Sequence, residues 1–101
     1  MTNQEFYAEV YKIVASIPPG KVMSYGQIGW MLGFPRAARQ VGAAMKNAPE
    51  GLPCHRVVNA SGKLCSPEVF CGQQWRLLGE EGVVFLKSGR VDMKVSVWRG
   101  E

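Results

Sequence analysis

Two capping boxes fix where two helices begin, and most of the reading of this chain follows from them. In Thr2…Glu5 and again in Ser24…Gln27, a hydroxyl residue stands three positions before a residue whose side chain reaches back. Each side chain then satisfies the other's free backbone amide. After Thr2, the residues Phe6, Val10, Ile13, Val14 and Ile17 recur at helical spacing, leaving Glu5, Glu9 and Lys12 on the outer side. Pro18-Pro19-Gly20 stops that helix. After Ser24 a short helix runs through Leu32, with Ile28, Met31 and Leu32 as core candidates and Gly33 at its end. Phe34-Pro35 restarts the chain into a third helix over 36–46, which turns Val41, Ala44 and Met45 inward. Two short helices joined by a tight glycine-containing turn suggest a helix-turn-helix. The same pattern also fits an ordinary helical hairpin, the commoner arrangement.

The second half is less regular. A loop over 48–53 leads into Cys54-His55-Arg56-Val57-Val58-Asn59, read as a tight turn entering a short extended segment. A helix is expected over 69–78, with Val69, Trp75 and Leu78 as its apolar positions, and Glu80-Glu81-Gly82 ends it. Val83 to Leu86 and Arg90 to Met93 flank Lys87-Ser88-Gly89, a β-hairpin pattern in which glycine takes the positive-φ position. The expected fold is therefore mostly α with a small β-hairpin. A length of 101 residues suits one domain over 1–101.

Composition narrows the class. At 47% hydrophobic and 20% charged residues, the chain has the balance of a folded domain and not of a disordered one. No apolar run approaches the ~20 residues that a membrane span needs. The start, Met1-Thr2-Asn3-Gln4-Glu5, lacks the basic-then-apolar pattern of a secretory signal, so a soluble intracellular protein is expected. Twelve Lys/Arg against eight Asp/Glu give +4, which favours a polyanionic partner without identifying it. The three cysteines, Cys54, Cys65 and Cys71, have ten and then five residues between neighbours. With His55 they could offer four ligands, but that spacing fits no common zinc module, and neither a metal nor a cofactor is expected.

Two segments carry chemistry. The third helix combines Arg36 and Arg39 with Ala37, Ala38, Gly42, Ala43 and Ala44. A helix small on its outer side and basic near its start can approach DNA closely; alanines also simply favour helix. In Pro53-Cys54-His55-Arg56, a thiol stands beside a histidine able to take its proton. Adjacent residues of an extended chain point to opposite faces, so the pair must be joined by a bend or through water. A buried cysteine beside a satisfied histidine is the plainer reading of that dipeptide.

The chain as a whole resembles the C-terminal domain of the O6-alkylguanine-DNA alkyltransferases and the related alkyltransferase-like proteins. The resemblance rests on Ile17-Pro18-Pro19-Gly20-Lys21-Val22 and Ser24-Tyr25-Gly26-Gln27, then on Ala37-Ala38-Arg39-Gln40-Val41-Gly42-Ala43-Ala44-Met45 and Asn47. Pro53-Cys54-His55-Arg56-Val57-Val58, Leu77-Leu78 and Glu81-Gly82 complete it, in the family's order over roughly 80 residues. It implies a winged helix-turn-helix-like domain that docks in the minor groove of double-stranded DNA carrying O6-alkylguanine. The damaged nucleotide is rotated out of the stack, as chemistry on a base inside a duplex requires. Arg39 matches the residue that fills the vacated stack, with Arg36, Ala37, Ala38, Gln40, Gly42 and Ala43 along the DNA-facing helix. Tyr25 matches the tyrosine that helps to rotate the nucleotide and contacts the base. Cys54 matches the alkyl acceptor, His55 its base through water, Glu81 the carboxylate that holds the histidine, and Asn47 the residue that shapes the turn. Arg56 is expected to brace that turn.

The resemblance also implies a cytoplasmic, nucleoid-associated or nuclear monomer acting away from membranes. The chain departs from the alkyltransferases in three ways. No N-terminal domain is expected to precede it. The segment Cys65-Ser66-Pro67-Glu68-Val69-Phe70-Cys71 rewrites one wall of the pocket, where those enzymes carry glycines and a lysine. The tail with Gly89-Arg90-Val91-Asp92-Met93 and Trp98 is similar to that of the single-domain alkyltransferase-like proteins. Those relatives commonly carry Trp or Ala where this chain has Cys54, and they pass the bound lesion to nucleotide excision repair proteins without transferring the alkyl group.

Overall fold

The computed structural model describes residues 2–65 and 73–100. Its first helix, α1 (Asn3–Ser16), starts on the Thr2–Glu5 capping box and buries Phe6, Val10 and Val14. The second, α2 (Tyr25–Met31), starts on the Ser24–Gln27 box. The third, α3 (Ala38–Lys46), begins two residues later than the sequence pattern suggests, because Pro35 and Arg36 form a turn and Ala37 caps the helix. Arg36 therefore lies in the turn ahead of α3 and not in its first helical turn.

α2 and α3 meet at Gly29. A Cβ there would lie 2.9 Å from the Phe34 carbonyl oxygen and 3.4 Å from the Ala37 Cβ. Only a residue without a side chain allows α2 so close an approach to the turn that leads into α3. The same approach corrects the expectation for Ala37. Its side chain is 8% exposed and belongs to the core, so it does not lie on the outer face of α3.

A feature absent from the sequence reading organises the centre. Strand β1 (Met23–Ser24) pairs in parallel with β2 (Val57–Val58), with Met23 opposite Val57 and Ser24 opposite Val58. Successive residues of a strand face opposite ways. Met23 and Val57 accordingly join the core formed with α1, α2 and α3, while Val22 and Val58 join a second core with Leu78, Val83 and Val91. Parallel strands need cover on both faces, and these two clusters supply it. The tail runs along the free edge of β1, with the Val22 amide donating to Ser96 O and the Trp98 amide to Val22 O. Val22 and Val97 form a parallel bridge.

The remaining elements are a 3₁₀ turn, η1 (Cys54–Arg56), then α4 (Gln74–Glu80) and α5 (Met93–Ser96). The expected hairpin is present as a bridge between Phe85 and Val91, closed by the Leu86 amide on Arg90 O. Met93 belongs to α5 and not to the hairpin, because Asp92 caps a new helical turn by accepting from the Lys94 amide. Of the helix expected over 69–78, residues 69–72 lie outside the described residues. Trp75 is 63% exposed and Met31 42%, so neither is the core residue its spacing suggested. Among the described residues, no helix is long and apolar enough to cross a membrane.

Candidate functional site

Cys54 opens the 3₁₀ turn, and its amide donates to Leu52 O at 2.7 Å. With three residues per turn, successive side chains in η1 diverge by about 120°. That divergence separates the cysteine from the histidine. Cys54 lines a cavity of about 570 Å³ together with Tyr25, Arg39, Gly42, Ala43, Met45, Lys46, Ala48 and Pro49. His55 turns the other way, and its Nε2 lies 3.0 Å from Glu81 Oε2. No hydrogen bond joins Cys54 to His55 among the described residues.

Glu81 is held by more than the histidine. Arg56 donates from Nε to Oε1 at 2.9 Å and from Nη2 to Oε2 at 2.6 Å, the two-pronged geometry that favours guanidinium over ammonium. A third nitrogen, Nη1, donates to Ile17 O at the end of α1 at 2.7 Å. One guanidinium thus ties the end of α1, the cysteine turn and the end of α4 together. Arg56 before all else, and His55 after it, hold the Glu81 carboxyl at a pKa of about 2 against the opposing effect of burial. Gly20 completes the junction. Its φ of +87° is open to glycine, and a Cβ there would lie 3.0 Å from Glu81 O.

Burial acts on the thiol in the opposite sense. It pushes the Cys54 pKa above the ordinary value, and the residue's own backbone amide offsets only part of this. The thiolate is the nucleophilic form, so Cys54 needs a base to react at neutral pH. Tyr25 is half-buried and is pushed well above the usual phenol range by burial, then by its hydrogen bond to Cys65 and the nearby thiols. It stays protonated and able to donate. Tyr11 is a neighbour that the sequence did not point out. Its hydroxyl donates to Ala44 O at 2.8 Å, and its pKa is raised by burial, by Tyr7 and by Cys54.

Along α3, Arg39 stands between two hollows. It lines the Cys54 cavity on one side and, on the other, a groove with Ala38, Gly42, Asn59 and Ala60 that also reaches Tyr25. Ala38, Arg39 and Gln40 are exposed, and Gly42 and Ala43 are partly so. Between Glu9 and Glu50 the sequence holds five cations, Lys12, Lys21, Arg36, Arg39 and Lys46, and no carboxylate. Asn47 follows at the end of α3. Its side chain is exposed and donates to Ala43 O at 2.9 Å, satisfying a free carbonyl at the end of α3.

Comparison with known proteins agrees with this geometry. The family model of the 6-O-methylguanine DNA methyltransferase DNA-binding domain matches residues 5–83. The DNA base-flipping protein of Escherichia coli (strain K12) is 43% identical over 98 residues, covering 95% of this chain and 76% of that protein. Alkyltransferase-like protein 1 of Schizosaccharomyces pombe is 41% identical over 101 residues, covering 96% and 94%. The crystal structure of S. pombe Atl1 in complex with damaged DNA containing O6-carboxymethylguanine superposes with a TM-score of 0.82 at 38% identity, covering 97% of this chain and 98% of that one.

Proposed function

As this chain belongs to the family of the 6-O-methylguanine DNA methyltransferase DNA-binding domain, we propose that it is a DNA-repair protein that binds O6-alkylguanine in duplex DNA by rotating the damaged nucleotide out of the stack. The observation that carries the reading is the shared cavity, which sets Arg39, Tyr25 and Cys54 around one space beside an exposed, small-residued helix. α3 enters the minor groove with Ala38, Gln40, Gly42 and Ala43 against the backbone and Arg36 nearby. Arg39 takes the place of the extruded base, and the base enters the cavity. Tyr25 donates to it. The protein acts as a monomer wherever duplex DNA is kept, in the nucleoid-bearing cytoplasm or in a nucleus.

Cys54 accepts the alkyl group. His55, steadied by Glu81, takes the thiol proton through water, and the thiolate attacks the alkyl carbon. The bond from that carbon to guanine O6 breaks, and the electron pair leaves on the base. A proton returned to the base restores guanine. The developing charge is met by the Tyr25 hydroxyl. The thioether is stable, so each molecule reacts once. Intact mass after incubation with an O6-methylguanine duplex tests this. A gain of one methyl group on the Cys54 peptide supports transfer.

One observation favours a second reading. Burial pushes the Cys54 pKa up, and among the described residues no hydrogen bond joins the thiol to a base. Tight lesion binding with no change of mass then marks a protein that flags the adduct for nucleotide excision repair proteins.

A further inference from the structure

Gln74 is 4% exposed, and its amide is fully used. Nε2 donates to His55 O at 3.0 Å and to Val57 O at 3.1 Å, while Oε1 accepts from the Cys65 amide at 2.7 Å. Turning the amide over would set a donor against a donor and an acceptor against two acceptors, so its orientation is fixed. Cys65 Sγ in turn lies 2.8 Å from the Tyr25 hydroxyl. The same buried side chain therefore touches the backbone of the cysteine turn and, through one residue, the phenol on the other side of the cavity.

We propose that Gln74 and Cys65 form a positioning relay that sets the Tyr25 hydroxyl against the base, an inference that rests on the lesion-binding reading above. Either atom of the Cys65–Tyr25 pair can donate, and Cys65 Sγ also lies 3.9 Å from Val57 O, so the contact fixes where the phenol oxygen sits beside the cavity. Gln74 holds Cys65 and η1 at one fixed separation, so the donor and the acceptor thiol keep register.

The test measures affinity for an O6-methylguanine duplex against its undamaged counterpart. Wild type, Cys65→Ala, Cys65→Ser and Gln74→Ala are compared, each with Tyr25 and with Tyr25→Phe, and thermal melts check folding. The relay expects Cys65→Ala to lower the damaged-to-undamaged ratio by about three- to tenfold, the range of one lost hydrogen bond. Cys65→Ser restores most of it, and Cys65→Ala has no further effect once Tyr25→Phe is present. An unchanged ratio, or an equal loss with Tyr25→Phe, overturns the relay. If wild type itself shows no preference for the lesion, the lesion-binding reading falls instead. The relay is then judged in the free protein by the Tyr25 ring resonances, which must shift in Cys65→Ala and in Gln74→Ala; unshifted resonances overturn it.

Discussion

His55 Nε2 lies 3.0 Å from Glu81 Oε2, and that same oxygen accepts from Arg56 at 2.6 Å. The carboxylate is therefore shared between a permanent cation and a titratable ring.

The sharing gives a pH signature. Glu81 is held at a pKa of about 2 in the folded chain, below its ordinary value of 4.5. Its contribution to stability is complete above pH 4.5 and is lost as pH falls from there through about 2. Thermal melting from pH 6 to 2 should show this decline, and Glu81→Gln should flatten it. Parallel curves for the two proteins would contradict the assignment.

The buried thiol gives a second signature, in the opposite direction. The Cys54 pKa is raised, so the reactive fraction is small at neutral pH and grows in alkali. Alkyl uptake should quicken as pH rises above 7. Cys54→Ala should abolish uptake and leave most lesion binding in place, as read by intact mass and by fluorescence anisotropy.

Arg39 stands between the cavity and the groove. Arg39→Ala should weaken binding to damaged duplex by about tenfold or more, in the 1–3 kcal/mol range of a base-level contact. Equal affinity in a competition assay would remove it from the stack.

The run without carboxylates around Arg36 and Lys46 predicts a steep salt response. Affinity should fall linearly on a log–log plot against salt, and Lys46→Ala should reduce the slope by about one if Lys46 meets a phosphate. A slope unchanged by that substitution would place Lys46 off the DNA.

Gly20→Ala forces a side chain into φ +87° and to 3.0 Å from Glu81 O. The left-handed conformation alone costs about 1–2 kcal/mol, so the melting temperature should drop by roughly 4–16 °C in a chain of this size. An unmoved melting point would mean that the junction yields freely.

What the sequence disclosed was local or motif-bound. Thr2 with Glu5, and Ser24 with Gln27, announce helix starts because both partners of each hydrogen bond sit within one turn. The segments of the site were legible through resemblance. What stayed hidden depends on distant partners. Strands of two residues, 23–24 and 57–58, are too short for alternation to register. Ala37 reads as surface until Gly29 is seen beneath it, and Trp75 reads as core although it is 63% exposed. Gln74 had one usable signal: it lies four residues before the buried Leu78, on the same helical face. A polar residue there asks for buried partners, and these turned out to be carbonyls of η1 and β2.

The parallel pairing of 23–24 with 57–58 has a consequence for how the protein is made. Every residue between those strands must already have emerged before they can join, and the Arg56 grip waits longer still, until Glu81 arrives. The cysteine turn and its brace are thus assembled late, from segments that lie far apart along the chain.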